Sequence, residues 1–136
     1  MIELTALEKE VIEAILVSTF SNQIGWAPAF KTLIVSSRSF SSLDKRSCVG
    51  FYTDFQENSL LSSLDDIPHS FSIQAKHAGL RAGELGLILF CDKTKKGVSV
   101  LEGFLYGDDL LPIEEFLKEK HNFIIGNTVT RLASKA

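Results

Sequence analysis

An α+β fold built on one antiparallel sheet is predicted by three observations. The first is an amphipathic stretch over residues 5–18. The second is a run of short apolar or alternating segments separated by turns rather than by helix-length crossovers, which is the arrangement that pairs strands antiparallel. The third is the strongest local signal in the chain. An apolar run from Leu85 to Cys91 meets a charged turn, Asp92 to Gly97, and a second apolar run from Val98 to Tyr106 is closed by Gly107, Asp108 and Asp109. That is a β-hairpin leaving its sheet through an acidic corner. Together they predict a single domain over residues 1–136. It is an antiparallel meander of about five strands, with an N-terminal amphipathic helix on one face and a short C-terminal helix.

The first helix starts with Thr5, Ala6, Leu7 and Glu8, a capping box in which hydroxyl and carboxylate each satisfy an orphan amide. Leu4, Leu7, Val11, Ile12, Ile15 and Leu16 form its apolar stripe, and Glu8, Glu10 and Glu13 fall outside it. Residues 21–28, with Gly25, Trp26 and Pro28, read as a connector, and Phe30 to Phe40 as a first strand. After a Ser-rich charged turn, Cys48 to Phe55 alternates, with Val49, Phe51, Thr53 and Phe55 on one side and Gly50, Tyr52 and Asp54 on the other. Residues 56–69 form the longest irregular stretch, with one helical turn expected at 60–64. Ser70 to Ala78 alternates again. Leu85 to Cys91 is apolar on both faces, as in a central strand, and Val98 to Tyr106 is its hairpin partner. Pro112 opens a helix over 113–121 with acids early and lysines late, which suits the helix dipole. Residues 122–130 read as a short last strand or as the end of that helix, and the final six residues as loosely ordered.

The bulk numbers bound the function. With 45% hydrophobic residues, ten Phe, 23% charged residues and a net charge of −3, the chain carries enough apolar material for a real core. It lacks the basic excess that would grip nucleic acid. No apolar run approaches the roughly 20 residues a membrane span needs. The N-terminus has no basic region followed by an apolar core. A cytoplasmic protein with reduced Cys48 and Cys91 is expected.

Catalytic motifs are absent from the pattern. No serine sits in a nucleophile elbow, and Cys91 with His77 reads as a buried thiol and a strand-edge histidine. His69, His77 and His121 share no metal-ligand spacing. Gly79 to Gly83, with Arg81, leads into a strand and reads as a turn, not a phosphate loop. Lys93, Lys95 and Lys96 cap a hairpin tip. No cofactor or metal is expected, and the chain is read as a non-enzyme. One carboxylate stands apart. Glu102 lies mid-strand on the side of Val100 and Phe104. It needs either a partner, such as Arg38 or Arg81, or a partly exposed face. An enzymatic or ligand-binding alternative would pair Glu102 with His77 across a pocket between sheet and helix.

Residues 50–55 (GFYTDF), 79–90 (GLRAGELGLILF) and 100–112 (VLEGFLYGDDLLP) resemble a pattern seen in small bacterial proteins. These proteins are similar in size, charge and organisation to immunity proteins of polymorphic toxin systems, including contact-dependent growth inhibition. The resemblance spans about residues 46–112. Gly50, Phe51, Thr53, Leu101, Glu102, Gly103 and Tyr106, which carry it, read as sheet scaffold. It implies an antitoxin-like protein that binds a cognate toxin domain, a nuclease being the expected kind, and occludes its active or substrate surface. The expected contact groups are the clustered acids Asp65, Asp66, Asp108, Asp109, Glu114 and Glu115, with Trp26, Tyr52 and Tyr106 as aromatic anchors. Homodimerisation through an apolar face is the third option.

Overall fold

Residue patterning converts into a two-layer structure in which one helical layer faces one side of a sheet. The computed structural model describes residues 2–19, 26–41, 49–64, 67–80, 83–92, 96–106 and 111–132. The elements are α1 (Ala6–Thr19), α2 (Trp26–Lys31), β1 (Val35–Ser41), β2 (Gly50–Phe55), α3 (Ser59–Ser62), β3 (Ser70–His77), β4 (Glu84–Asp92), β5 (Val98–Tyr106), α4 (Glu114–Leu117), β6 (Phe123–Ile125) and β7 (Thr130–Leu132).

The described strands form a seven-stranded sheet in the order β1-β2-β5-β4-β3-β6, with β7 also paired to β3. All pairings are antiparallel. The expected simple meander is corrected here. β3, β4 and β5 do form one, but β2 pairs with β5 rather than with β3. The connection from β2 to β3 therefore passes across the sheet, carrying α3 with it. Two strands beyond the expected five come from the C-terminal segment, where the strand reading of residues 122–130 holds in part. The first strand is also shorter than expected, because residues 26–31 are helical. Pro28 sits in the first turn of α2, where its missing N–H would have had no intrahelical partner anyway.

Helix α1 is capped as its sequence indicates. The Thr5 amide donates to Glu8 Oε1 at 2.7 Å and the Glu8 amide donates to Thr5 Oγ1 at 3.2 Å. The same glutamate does a second job that its place in the helical pattern hides. Glu8 is only 1% exposed, against the expectation that it lies outside the buried stripe. Arg38 on β1 clamps it with two bonds, Nε to Oε2 at 2.9 Å and an NH2 donor to Oε1 at 2.6 Å. The Thr53 hydroxyl on β2 also donates to it. Arg38 additionally reaches the Glu3 carbonyl at 3.0 Å. A desolvated carboxylate is stable only when paired and fully hydrogen-bonded, and this latch fastens the start of α1 to β1 and β2.

The core lies entirely between the helices and one face of the sheet. Leu7, Val11 and Ile15 of α1 and Phe116 of α4 join Phe51, Phe55, Phe71, Ile73, Leu85, Leu87, Leu89 and Leu101. Phe71 receives the edges of Trp26 and Phe30, with centroids 5.5 and 5.6 Å away. Phe51 lies over Gly103, where an added Cβ would come within 2.4 Å of the ring, so only glycine lets that ring sink onto the strand.

Helix α4 is four residues long rather than the nine expected over 113–121. Ile113 offers no side-chain cap, and Lys118 turns extended, at φ −68° and ψ 143°. The chain can then reach the sheet at His121 and enter β6. Asn122 takes a positive φ of 63° at that corner, which Asn tolerates better than most residues.

Candidate partner-binding face

The alternation of side chains along each strand divides the sheet into a packed inner face and an outer one. Register assigns the outer positions. Tyr52 lies opposite Glu102, which lies opposite Ile88. Asp54 lies opposite Val100, which lies opposite Phe90. Phe104 faces Gly86, and Tyr106 faces Glu84. No described helix covers this side, because the described helical contacts with the sheet run to the inner face.

The outer face is consequently rich in partly exposed apolar and aromatic groups. Tyr52 is 42% exposed and Tyr106 48%, and Ile88, Phe90, Val100 and Phe104 are each half-buried. The Tyr106 ring folds back over Gly86, where an added Cβ would meet it at 2.7 Å. It stands edge-on to Phe104, with centroids 4.7 Å apart. At the other end of the face, His69 stands edge-on to Phe90 at 6.1 Å. These contacts pack Phe104 and Tyr106 against each other, and Phe90 against His69, at the surface.

The charge on this face is one-sided. Its described strand positions carry Asp54, Glu84, Asp92 and Glu102 against one cation, Lys76. Lys76 stands 3.9 Å from Glu84 with both side chains well exposed, an arrangement worth little in water. Glu102 accepts a hydrogen bond from the Tyr52 hydroxyl at 3.4 Å, and Ser37 donates to Asp54 at 3.1 Å. Glu102 thus resolves as the carboxylate of a partly exposed face. Of the two alternatives for Glu102, the partly exposed face is the one that holds; Arg38 is held on the inner side by Glu8 instead.

Two groups expected to be exposed contacts are buried, and a third is exposed away from the outer face. Trp26 is not an exposed anchor; it is buried against Phe71 in the core. Glu115 is not a surface acid; it is 9% exposed, accepts from Lys118 Nζ at 2.6 Å and lies 3.0 Å from His77 Nε2. These bonds, the Lys118 one foremost, hold its carboxyl below its ordinary value against the opposing effect of burial. Glu114 remains exposed, but on α4 rather than on the outer face. Asp65, Asp66, Asp108 and Asp109, with Arg81, Lys93, Lys95 and Cys48, lie outside the described residues.

His77 and Glu102 do not share a pocket. His77 aligns with Phe71, Ile73 and Ala75 on the inner face, and Glu102 is on the outer one. The His77 ring is also fully engaged. The Gly79 amide donates to its Nδ1 at 2.8 Å, which leaves Nε2 as the protonated nitrogen donating to Glu115. His121 repeats the pattern: the Phe123 amide donates to Nδ1 at 3.0 Å and Nε2 faces the Glu10 carboxylate. Both rings flank Phe123, with centroids at 4.8 and 5.8 Å. These two histidines anchor the entry to β6. Cys91 lies at the far end of β4 from His77 by register, and burial pushes its thiol up to about 12, which disfavours the nucleophilic thiolate near neutral pH.

Comparison with protein-family models, with curated proteins and with solved structures gives no match in any of the three.

One signal in the sequence pointed to the outer face. Leu85–Cys91 is apolar on both sides, and an antiparallel sheet with a single helical layer can bury only one of them. The other side must stay exposed or meet something outside the fold.

Proposed function

We propose that this chain is a binding protein of the immunity type, which neutralises a basic toxin domain by covering its active or substrate surface with the outer face of the sheet. The observation that carries this reading is the coincidence of partly exposed aromatics and unbalanced carboxylates on one side that no described helix covers: Tyr52, Phe104 and Tyr106 beside Asp54, Glu84 and Glu102. Aromatic groups supply most of the binding energy in protein interfaces. Surrounding acids steer and select a cationic partner, and arginine stacks well on exposed rings. A nuclease, whose substrate surface must attract phosphates, is the kind of toxin such a face suits. Self-association through the same face is disfavoured, because two copies would bring like carboxylates together. Residues 46–112 resemble small bacterial proteins that are similar in size, charge and organisation to immunity proteins, which agrees with this reading.

The test begins with capture of partners from a lysate of the source organism on immobilised wild-type protein and on a Tyr52→Ala, Tyr106→Ala double variant. Supporting this function requires one basic domain retained by the wild type, lost by the variant, and inhibited in its own activity by the added chain. A partner held equally by both proteins, or one whose activity is unchanged in the complex, argues against it.

A further inference from the structure

The two edges of the sheet differ in how they are guarded, and the less guarded one opens into a groove. Free strand edges invite pairing, and proteins blunt them with bulges, charges or polar side chains. β1, at one edge, is guarded in this way. It reads Val-Ser-Ser-Arg-Ser-Phe-Ser and carries a register shift between Val35 and Ser37. β6, at the other edge, reads Phe-Ile-Ile with no charge and pairs with β3 alone.

Hydrogen-bond alternation fixes which β6 groups face outward. The Gly126 amide donates to the Gln74 carbonyl at 2.7 Å, so the polar groups of Gly126 and, two residues back, Ile124 point toward β3. Those of Ile125 point away from the sheet. Across from them runs α1. Glu10, Glu13, Ala14 and Val17 from the helix, with residues 123–127 of the edge, line a groove of about 510 Å³. Among the described residues, the two most exposed large apolar side chains are Ile124, at 74%, and Val17, at 69%, and both line this groove. Its charged lining groups are Glu13 and Glu10, with no cation lining the groove itself; the Glu10 carboxylate already faces His121, which leaves Glu13 as the acid open to a partner.

We infer that this groove takes an extended basic segment of a partner protein, which adds as a strand to β6. Its main chain would pair with the outward groups of Ile125, its apolar residues would cover Ile124 on the side of Lys76, and its alternate residues, Lys or Arg, would lay their stems over Val17 on the helix side and meet Glu13 there. Addition of an extended peptide as a strand to an exposed sheet edge is an established way to read such a segment. The acidic lining argues for a cationic occupant and against a second copy of this chain, since a symmetric edge pair would bring two sets of Glu10 and Glu13 together. The groove lies at the sheet edge beside α1 and stands independently of the outer-face proposal.

The probe is a short synthetic peptide alternating arginine and valine, capped at both ends. It is titrated into the full chain at low salt while backbone amides are followed by NMR and hydrogen exchange. Saturable binding is expected, with shifts concentrated in residues 123–127 and the facing side of α1, and with slowed exchange at the Ile125 amide. Glu13→Lys, an exposed change on α1, should weaken binding by roughly fivefold at low salt and less at high salt. The same peptide with glutamate replacing arginine should not bind. The inference fails if no saturable binding occurs, if Ile125 exchange is unchanged in the bound state, or if Glu13→Lys binds as well as wild type. Slow Ile125 exchange in a dimer without peptide would also overturn it, because the occupant would then be a second copy.

Discussion

The two faces of this sheet are made by the same strands, residue by alternate residue, and they behave as different materials. Leu87 and Ile88 are neighbours on β4, yet Leu87 lies in the sealed core while Ile88 sits half-exposed opposite Glu102. On the inner side the buried acids have partners: Glu8 is held by Arg38 and Thr53, and Glu115 by His77 and Lys118. On the outer side the acids outnumber the single lysine and the rings stay open to solvent. The inner face therefore has the properties of a structural surface, and the outer face has the exposed rings and acids that the proposed recognition role requires. Burial with complete hydrogen bonding stabilises a fold, whereas exposed ordered aromatics contribute their free energy only when something covers them.

Substitutions separate these roles. The largest effect is expected at the latch. Glu8→Ala removes the carboxylate half of the capping box and leaves Arg38 largely buried without its counter-charge, so urea denaturation should show a loss of about 3–5 kcal/mol, the usual consequence of breaking a buried pair from one side. A loss too small to resolve would mean that Arg38 finds water or another partner readily.

The next contrast uses adjacent residues. Leu87→Ala empties a filled core position and should cost about 2–5 kcal/mol. Ile88→Ala, one residue along, should cost about 1 kcal/mol or less, because its side chain is already partly in water. Equal losses would show that the outer face is covered in the free protein, and the distinction between the faces would collapse.

The smallest effect concerns acid. The Glu115 carboxyl is held below its ordinary value of 4.5, so its contribution to stability is complete above that pH and is lost as the pH falls through the lowered folded-state value. Stability measured from neutral pH downward should decline below pH 4.5 in the wild type, and Glu115→Gln should flatten that part of the curve. An unchanged curve in the variant would remove Glu115 from the account of acid sensitivity.

How much of this was legible beforehand depends on range. The capping box, the alternation of β2 and β3 and the β4–β5 hairpin are local patterns, and each forms as its sequence indicates. The pairing of β2 with β5 is not local. It brings Thr53 opposite Leu101 across a separation that no turn residue specifies, so a meander was the natural but incomplete expectation. Glu8 misled for the same reason, since its periodicity marks it as a solvent-facing helix position while Arg38, thirty residues away, draws it inward. Trp26 was read as an anchor from residue type alone; it lies instead in a helix whose apolar side meets Phe71. Glu115 was grouped with Glu114 by adjacency, although helical geometry sends neighbouring residues to different sides. Tyr52 and Tyr106 stood on alternating strands, where outward positions follow from the register, and both are exposed on the face to which the apolar surplus of Leu85–Cys91 points.

The central claim, that the outer face is the recognition surface, is most directly tested by hydroxyl-radical footprinting of the chain alone and in complex with the partner it captures. Tyr52, Phe104 and Tyr106 should lose most of their labelling in the complex, while exposed groups on the helical layer, such as Leu60 and Leu117, keep theirs. Unchanged labelling of the two tyrosines, with protection confined to the helical layer, would contradict the account.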